Sequence, residues 1–422
     1  MKINTYNLFN RPEKNYKPID GIRAIAVLWV IIFHAWLFQY NSFPVESDFI
    51  INNSIFTWIS KGDLGVDLFF VISGFLIGTI LFKEFNKSKT INFKRFYVRR
   101  FLRLMPVYIF SMIIGVYFLQ DSPAGNWEKA WANLLYVNNY VRESYMGWTW
   151  SLAIEEQFYI VIPFLIAFII PKFRNKFFIF FFLAIVPVCL SYYYLFILLD
   201  YSVPFNNQFT SEGWADWFWE YYMLTHLRYG GLLSGVIAAY LSVNFSKKIS
   251  MFFKKKVIIS NFLIILSLFF FISISTITLG QWTEVENSIF YTLNPEIGRY
   301  YEIVHREVFC YSVAFIIMSC IYSKSLIIKP VNNFLSLKFF YPIAQVSYSA
   351  YLFHEMFMLW FFPIFTENFL EILSPEIIIF INSIISLVAI ILFATLMYLF
   401  IEQPFQKIKD KSKISRLAVP SS

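Results

Sequence analysis

The feature that most constrains this chain is a run of about 20 apolar residues, the length a helix needs to cross a bilayer, repeated from end to end. Ten such runs occur, at roughly 19–41, 64–82, 104–120, 149–170, 177–198, 219–243, 257–279, 305–322, 339–363 and 376–401. Hydrocarbon offers no partner to a backbone amide, so each run must satisfy its own hydrogen bonds as a helix. A membrane β-barrel would show short segments of alternating polarity instead. Composition agrees: 15% of the residues are charged, where a soluble domain carries roughly 25%. The expected fold class is all-α, a polytopic membrane helical bundle of about ten transmembrane helices.

The basic residues orient this bundle. Of the 35 Lys and Arg, 29 fall in segments 1–23, 83–103, 171–176, 246–256, 323–338 and 403–422, which alternate spans place on one side. Lys61, Lys129, Arg142, Arg228, Arg299 and Arg306 are left for the other. Under the positive-inside rule both N- and C-termini are cytoplasmic. The chain divides into a cytoplasmic N-terminal segment 1–18, a transmembrane domain 19–402 and a cytoplasmic tail 403–422. The net charge of +8 follows from these short loops and implies membrane lipid, not nucleic acid, as the partner. The outer loops are acidic, as in "PVESD" and "GQWTEVENS". No short apolar core with a small-residue cleavage site marks a signal peptide. Cys189, Cys310 and Cys320 all lie within spans and lack metal-ligand spacing. No metal and no permanently bound cofactor is expected, since no phosphate loop, HExxH helix or GxSxG elbow appears.

In so apolar a chain the informative residues are ionisable groups inside spans, which are costly and face the bundle interior. In "DGIRAIAVLWVIIFH", Arg23 and His34 stand eleven residues apart. On a helix that is within about 20° of three full turns, so both share one face about 16 Å apart. Glu155 and Glu156 in "GWTWSLAIEEQFY", Asp67 in "GVDLFFVISGF" and His354 in "VSYSAYLFHEMF" reach a similar depth. Together they suggest an internal polar chamber in which histidine moves protons. His34, Arg23 and Glu155 are the candidate catalytic residues, and Asp20, Asp67, Ser73, Glu156 and His354 the supporting set. Glu155, Glu156, Asp67 and His354 each also have a plainer reading as a structural hydrogen-bonding group. A second cluster, "FKRFYVRRFLRLMPVY", places Arg95, Arg99, Arg100 and Arg103 on one helix. Topology alone accounts for basic residues here, but neighbouring arginines also suit bidentate phosphate binding. Pro106 could bend the start of this helix.

These blocks resemble, in order, those of the acyltransferase 3 family of integral membrane acyltransferases: "IDGIRAIAVLWVIIFH", "GVDLFFVISGFLI", "VRRFLRLMPVY", "WSLAIEEQFY", "VSYSAYLFHEM" and "IEQPF". The resemblance covers residues 19–405 and implies transfer of an acyl group, usually acetyl, from cytoplasmic acyl-CoA to a hydroxyl of an extracytoplasmic glycan. Lipopolysaccharide O-antigen, capsule and peptidoglycan are the candidate acceptors. The family's arginine and histidine correspond to Arg23 and His34, its RxxR pair to Arg100 and Arg103 (with Arg99 beside them), and its WSLxxE carboxylate to Glu155. Acetyl-CoA would be a co-substrate docked on these arginines, its arm reaching along the Arg23–His34 face. His34 would act as general base with Glu155 orienting it, or carry the acyl group covalently. The family often adds an SGNH-type esterase domain, and this chain would be the stand-alone form, in a bacterial inner membrane. The competing readings are a transporter or flippase, which would favour broken helices in repeated halves, a polysaccharide polymerase or ligase, and a non-enzymatic scaffold. The aromatic segment "WADWFWEYY" is either a sugar-stacking surface or an interfacial belt.

Overall fold

The computed structural model describes residues 6–13, 16–43, 46, 55–119, 122–198, 217–277 and 295–411. Ten principal helices run along the bundle: α1 Lys17–Ser42, α2 Leu64–Ser88, α3 Phe93–Phe118, α4 Trp150–Phe164, α5 Lys176–Tyr193, α6 Gly230–Asn244, α7 Val257–Thr276, α8 Pro295–Tyr322, α9 Phe340–Phe369 and α10 Pro375–Met397. Among the described residues there is no β-strand. Eight of these helices, or the longer stretches they belong to, are long and apolar enough to cross a membrane. The other two differ in character. Helix α6 is short, with 15 residues, and α9 is long but carries Ser347, Ser349, His354 and Glu355 along its length. The acidic stretch "GQWTEVENS" and most of "PVESD" lie outside the described residues.

Several boundaries differ from the sequence expectation, each for a local reason. The arginine segment and the third span form one continuous helix, with Pro106 inside it. Asn92 caps its start by accepting from the Arg95 amide at 2.9 Å, and Arg95 reaches back to Glu84 at 2.7 Å. The run expected as one span over 219–243 is broken into a π-helical turn Phe218–Tyr222, a short helix Thr225–Arg228 and then α6. The boundary expected between 402 and 403 falls within continuous helix, because α10 passes through a π turn into Gln403–Lys411. At the basic end, Ser246–Lys255 is an amphipathic helix with Phe253 buried and Lys247, Lys248, Lys254 and Lys255 exposed, as a helix lying in an interface is built.

Burial sorts the spans. Some 72% of the apolar stretch of α2 and of α8 is buried inside the protein, but only 17% for α5 and α7. The outer helices therefore turn Phe177, Phe178, Phe181 and Phe182 outward, as lipid-facing residues. The central helices approach closely because small residues line their contact. Gly74 and Gly78 of α2 face Leu232, Val236 and Ala239 of α6, and Gly235 of α6 lies against Val71, Gly74 and Phe75, the small-residue packing of membrane helix pairs. A β-carbon on Gly74 would lie 1.9 Å from the Leu232 carbonyl oxygen, and one on Gly235 2.1 Å from that of Val71. Helix α1 packs between α2 and α9, which puts the Arg23–His34 face inside the bundle.

The α2–α6 contact is backbone against backbone, so a side chain there cannot be absorbed by rotamer changes. Gly74→Leu is expected to cost at least ~2 kcal/mol, seen as a lower thermal unfolding midpoint of the detergent-purified protein. Ile80→Leu, on an exposed face of the same helix, should leave the midpoint unchanged.

Candidate active site

Two chambers enter the bundle from opposite ends. The one at the far end, away from the arginine segment, has a volume of about 360 Å³ and is lined by His34, Glu355, Asp63 and a set of aromatic side chains. His34 comes from α1 and Glu355 from α9, with His34 Nε2 3.0 Å from Glu355 Oε1. His34 Nδ1 lies 2.9 Å from the Val30 carbonyl oxygen, one turn earlier in its own helix. His354 stands behind it, fully buried, with Nε2 3.2 Å from His34 Nδ1 and Nδ1 2.6 Å from the Tyr351 carbonyl oxygen.

One proton assignment gives each of these contacts a donor. His354 Nδ1–H donates to the Tyr351 carbonyl, and His34 Nδ1–H is shared between the Val30 carbonyl and His354 Nε2. That leaves a lone pair on His34 Nε2 facing a carboxylate oxygen, so the His34–Glu355 pair must hold one proton between them. His34, His354 and Glu355 also place three ligand-type atoms within 4.8 Å of one another, a set able to hold a divalent cation. The tautomers fixed by the two backbone carbonyls account for the same geometry with protons alone.

The chamber at the basic end has a volume of about 340 Å³. Arg23, Arg100 and Arg103 line it with Ser73, Glu155, Tyr159, Tyr348 and Glu402. Glu155 accepts from Tyr159 Oη at 2.5 Å and from Ser73 Oγ at 3.2 Å, and Ser73 also bonds Tyr159. The Arg100 guanidinium lies 5.8 Å from the centre of the Tyr159 ring, a cation–π distance. Three guanidinium groups around one cavity make an anion-binding pocket with bidentate donors.

The sequence-derived set is thus divided rather than gathered into one chamber. Arg23 and His34 do share an inward face, but each opens into a different chamber. The partner of His34 is Glu355, not Glu155, which belongs with Arg23, Ser73 and Tyr159. Glu156, one residue on and so about 100° around the helix, lines neither chamber and lies near Tyr108, Tyr136 and Tyr348. Arg99 is absent from the walls of the basic chamber for the same angular reason. Asp20 pairs with Arg11 at 3.0 Å outside both chambers.

Asp67 is buried behind the far chamber, within a network of charges. It holds Arg306 Nη1 at 2.7 Å and Arg228 Nη2 at 3.2 Å, and Arg306 also bonds Asp63. Both guanidinium groups sit over the Tyr222 ring, at 4.8 and 4.7 Å. Burial works against the charge on Asp63, just ahead of α2, but Arg306 and Lys61 beside it hold its carboxyl below the usual range. Four of the residues that sequence reading placed in or beside the outer loops, Lys61, Arg228, Arg299 and Arg306, are buried or nearly so. Glu355, Tyr351 and Glu402 were missed, although Glu355 directly follows His354 and is itself an ionisable residue inside a span. Trp217, Phe218 and Trp219 line the far chamber with Trp148 and Trp150, so this part of the segment faces an internal cavity; residues 214–216 of it lie outside the described residues.

Comparison with known proteins reaches the same region. A family model described as an acyltransferase domain, Acyl_transf_3, matches residues 16–400. An O-acetyltransferase OatA of Staphylococcus aureus (strain NCTC 8325 / PS 47) is 29% identical over 428 aligned residues, covering 94% of this chain and 59% of the relative. A peptidoglycan O-acetyltransferase OatA of Listeria monocytogenes is 34% identical over 178 residues, covering 38% of this chain and 26% of the relative. The chain therefore spans less than two thirds of the length of these relatives. No solved structure matches it.

The buried charge network yields a stability test. Asp67→Ala leaves two guanidinium groups facing each other without their shared carboxylate, at a cost of about 3–5 kcal/mol. Arg142→Ala removes an exposed pair with Glu220 at 3.9 Å, worth under about 1 kcal/mol. Thermal unfolding of the purified variants should separate the two clearly.

Proposed function

Since this chain belongs to the acyltransferase 3 family of membrane acyltransferases, we propose that it is a membrane O-acyltransferase moving an acetyl group from cytoplasmic acetyl-CoA to a hydroxyl of an extracytoplasmic glycan. The observation that carries this reading is the pair of chambers, one lined by three arginines and one holding a His–Glu pair, which enter from opposite ends and adjoin at Val66 and Tyr351. The basic end would be the cytoplasmic one under the positive-inside rule, since the sequence segments expected there carry 29 of the 35 Lys and Arg. The membrane is the bacterial cytoplasmic membrane, and no resident metal or cofactor is required.

Arg100 and Arg103 would hold the phosphates of the donor, with Arg23 and the Glu155–Tyr159–Ser73 group lining the path of its arm. The acceptor hydroxyl enters the far chamber and its sugar stacks on the tryptophans. When the shared proton is released to water in the far chamber, leaving Glu355 ionised, His34 Nε2 takes the hydroxyl proton as the oxygen attacks the thioester carbonyl. The C–O bond forms, the C–S bond breaks, and the proton passes from His34 to the departing thiolate. Glu355, 3.0 Å away, stabilises the imidazolium in between. Val30 and His354 hold the ring so that Nε2, not Nδ1, is the atom presented.

For the acceptor, the names of the relatives shift the order of testing. Peptidoglycan comes first, because it is the substrate class in the name of the Listeria relative, and lipopolysaccharide O-antigen second. NMR of the surface glycans from wild-type and deletion strains would identify the sugar and hydroxyl that lose the acyl group. A transporter would leave acetyl-CoA untouched, so thioester consumption by the purified protein separates the two readings. Among the described residues one span is broken, that of α6, with no matching break in a second half, which counts against the transporter.

Two sets of variants test the assignment. His34→Ala and Glu355→Gln should lower kcat by about 10²–10⁴-fold with protein still present in the membrane, and substantial residual transfer would remove the dyad from the mechanism. Arg100→Ala with Arg103→Ala should raise KM for acetyl-CoA and leave KM for the acceptor unchanged.

A further inference from the structure

Among the described residues the two chambers share two lining residues, Val66 of α2 and Tyr351 of α9. Each chamber is wide enough for several water molecules, and each opens to one end of a bundle that crosses a bilayer. Joined, they would be a water path through the membrane, which conducts protons and small ions. The Val66 and Tyr351 side chains face both chambers. We propose that Tyr351, backed by Val66, is a seal and gate between the two chambers, closed at rest and displaced only by the arm of the acyl donor.

The way Tyr351 is held supports a fixed barrier rather than incidental packing. Its ring is buried, and its hydroxyl donates to the Trp148 carbonyl at 2.7 Å and meets Ser151 Oγ at 2.5 Å. Phe69 packs edge-on against the ring with centroids 6.4 Å apart. Both hydrogen-bond partners belong to the segment that opens α4, so α9 is pinned to α4 at the level of the partition. A loosely held aromatic ring would flicker open on its own, whereas one pinned at its tip opens when a competing group takes over its hydrogen bonds. A donor arm of the pantetheine type carries amide groups able to do that.

The gate is also wired to the far-chamber dyad. The Tyr351 carbonyl accepts from His354 Nδ1, His354 Nε2 meets His34 Nδ1, and Glu355 lies one turn beyond Tyr351 on α9. The link runs through the Tyr351 main chain, so the residue whose ring faces both chambers also holds, by its carbonyl, the histidine that meets His34. The seal itself follows from the two chambers and the bilayer. Only its opening by acyl-CoA rests on the acyltransferase reading.

The test measures proton leak through the full chain reconstituted in liposomes, with a pH-sensitive dye inside and an imposed pH gradient. Wild type should hold the gradient, and Tyr351→Phe, which keeps the ring but loses the two hydrogen bonds at its tip, should leak at a rate between wild type and Tyr351→Ala. Tyr351→Ala should dissipate it several-fold faster, and Tyr351→Ala that is monodisperse yet as tight as wild type would overturn the proposal. If Tyr351→Ala fails to reconstitute, Val66→Ala takes its place with the same two outcomes. Coenzyme A added to the outside, acting on molecules with the basic end exposed, should slow the leak of the variant in part. A leak indifferent to coenzyme A upholds the seal and counts against the donor reading of the basic chamber, so the two inferences fail separately.

Discussion

A charge inside a bilayer must be paired, neutral or in contact with water, and this constraint arranges the whole molecule. The Asp67 carboxylate holds Arg306 and Arg228, and Arg306 in turn holds Asp63. Through these bonds α2, the broken segment before α6, and α8 are tied together at the far end. Tyr222 lies under both guanidinium groups and lines the far chamber, so the same network forms a wall of the chamber. At the other end the three arginines of the basic chamber are offset by Glu155 and Glu402 and left partly open to an anionic guest. The protein thus treats its buried charges in two ways. Those at the far end neutralise each other, and those at the basic end are short of partners.

That difference is what divides the labour between the chambers. The basic chamber has surplus positive charge and hydrogen-bond donors, the chemistry that holds phosphate. The far chamber has aromatic walls and one titratable pair, the chemistry that holds a sugar and moves a proton. Among the described residues, Tyr351 and Val66 are the side chains that face both chambers. On the proposed function, donor and acceptor would stay apart until the donor arm crosses between the chambers, and the proposed seal would keep the bilayer closed meanwhile.

Much of this was legible beforehand, and the omissions share one cause. The apolar runs anticipated ten helices, and the eleven-residue step from Arg23 to His34 anticipated a common inward face, because both depend only on helix geometry. His354 was expected near His34 from its depth alone, and the two rings do meet. The carboxylate beside His34 was assigned to Glu155 and is Glu355, because depth along a helix says nothing about which way round the bundle a residue faces. Asp67 and Glu156 were assigned to the chamber on the same reasoning and point elsewhere. The span over 219–243 was expected whole and is broken, since apolar content does not register that Arg228 has buried carboxylate partners to reach.

What the sequence by itself determined is the class of structure: helices that cross a bilayer, a basic end, and ionisable groups that cannot face lipid. Those follow from the free energy of moving side chains and backbone out of water, which is a local property of each segment. What only the tertiary structure decided is the pairing. His34 and Glu355 are 321 residues apart, and Asp67 and Arg306 are 239 apart. Which of several buried carboxylates meets which cation depends on how α1, α2, α8 and α9 rotate and pack against one another. That is set by close contacts such as Gly74 against the Leu232 backbone, where shape and not polarity selects the neighbour.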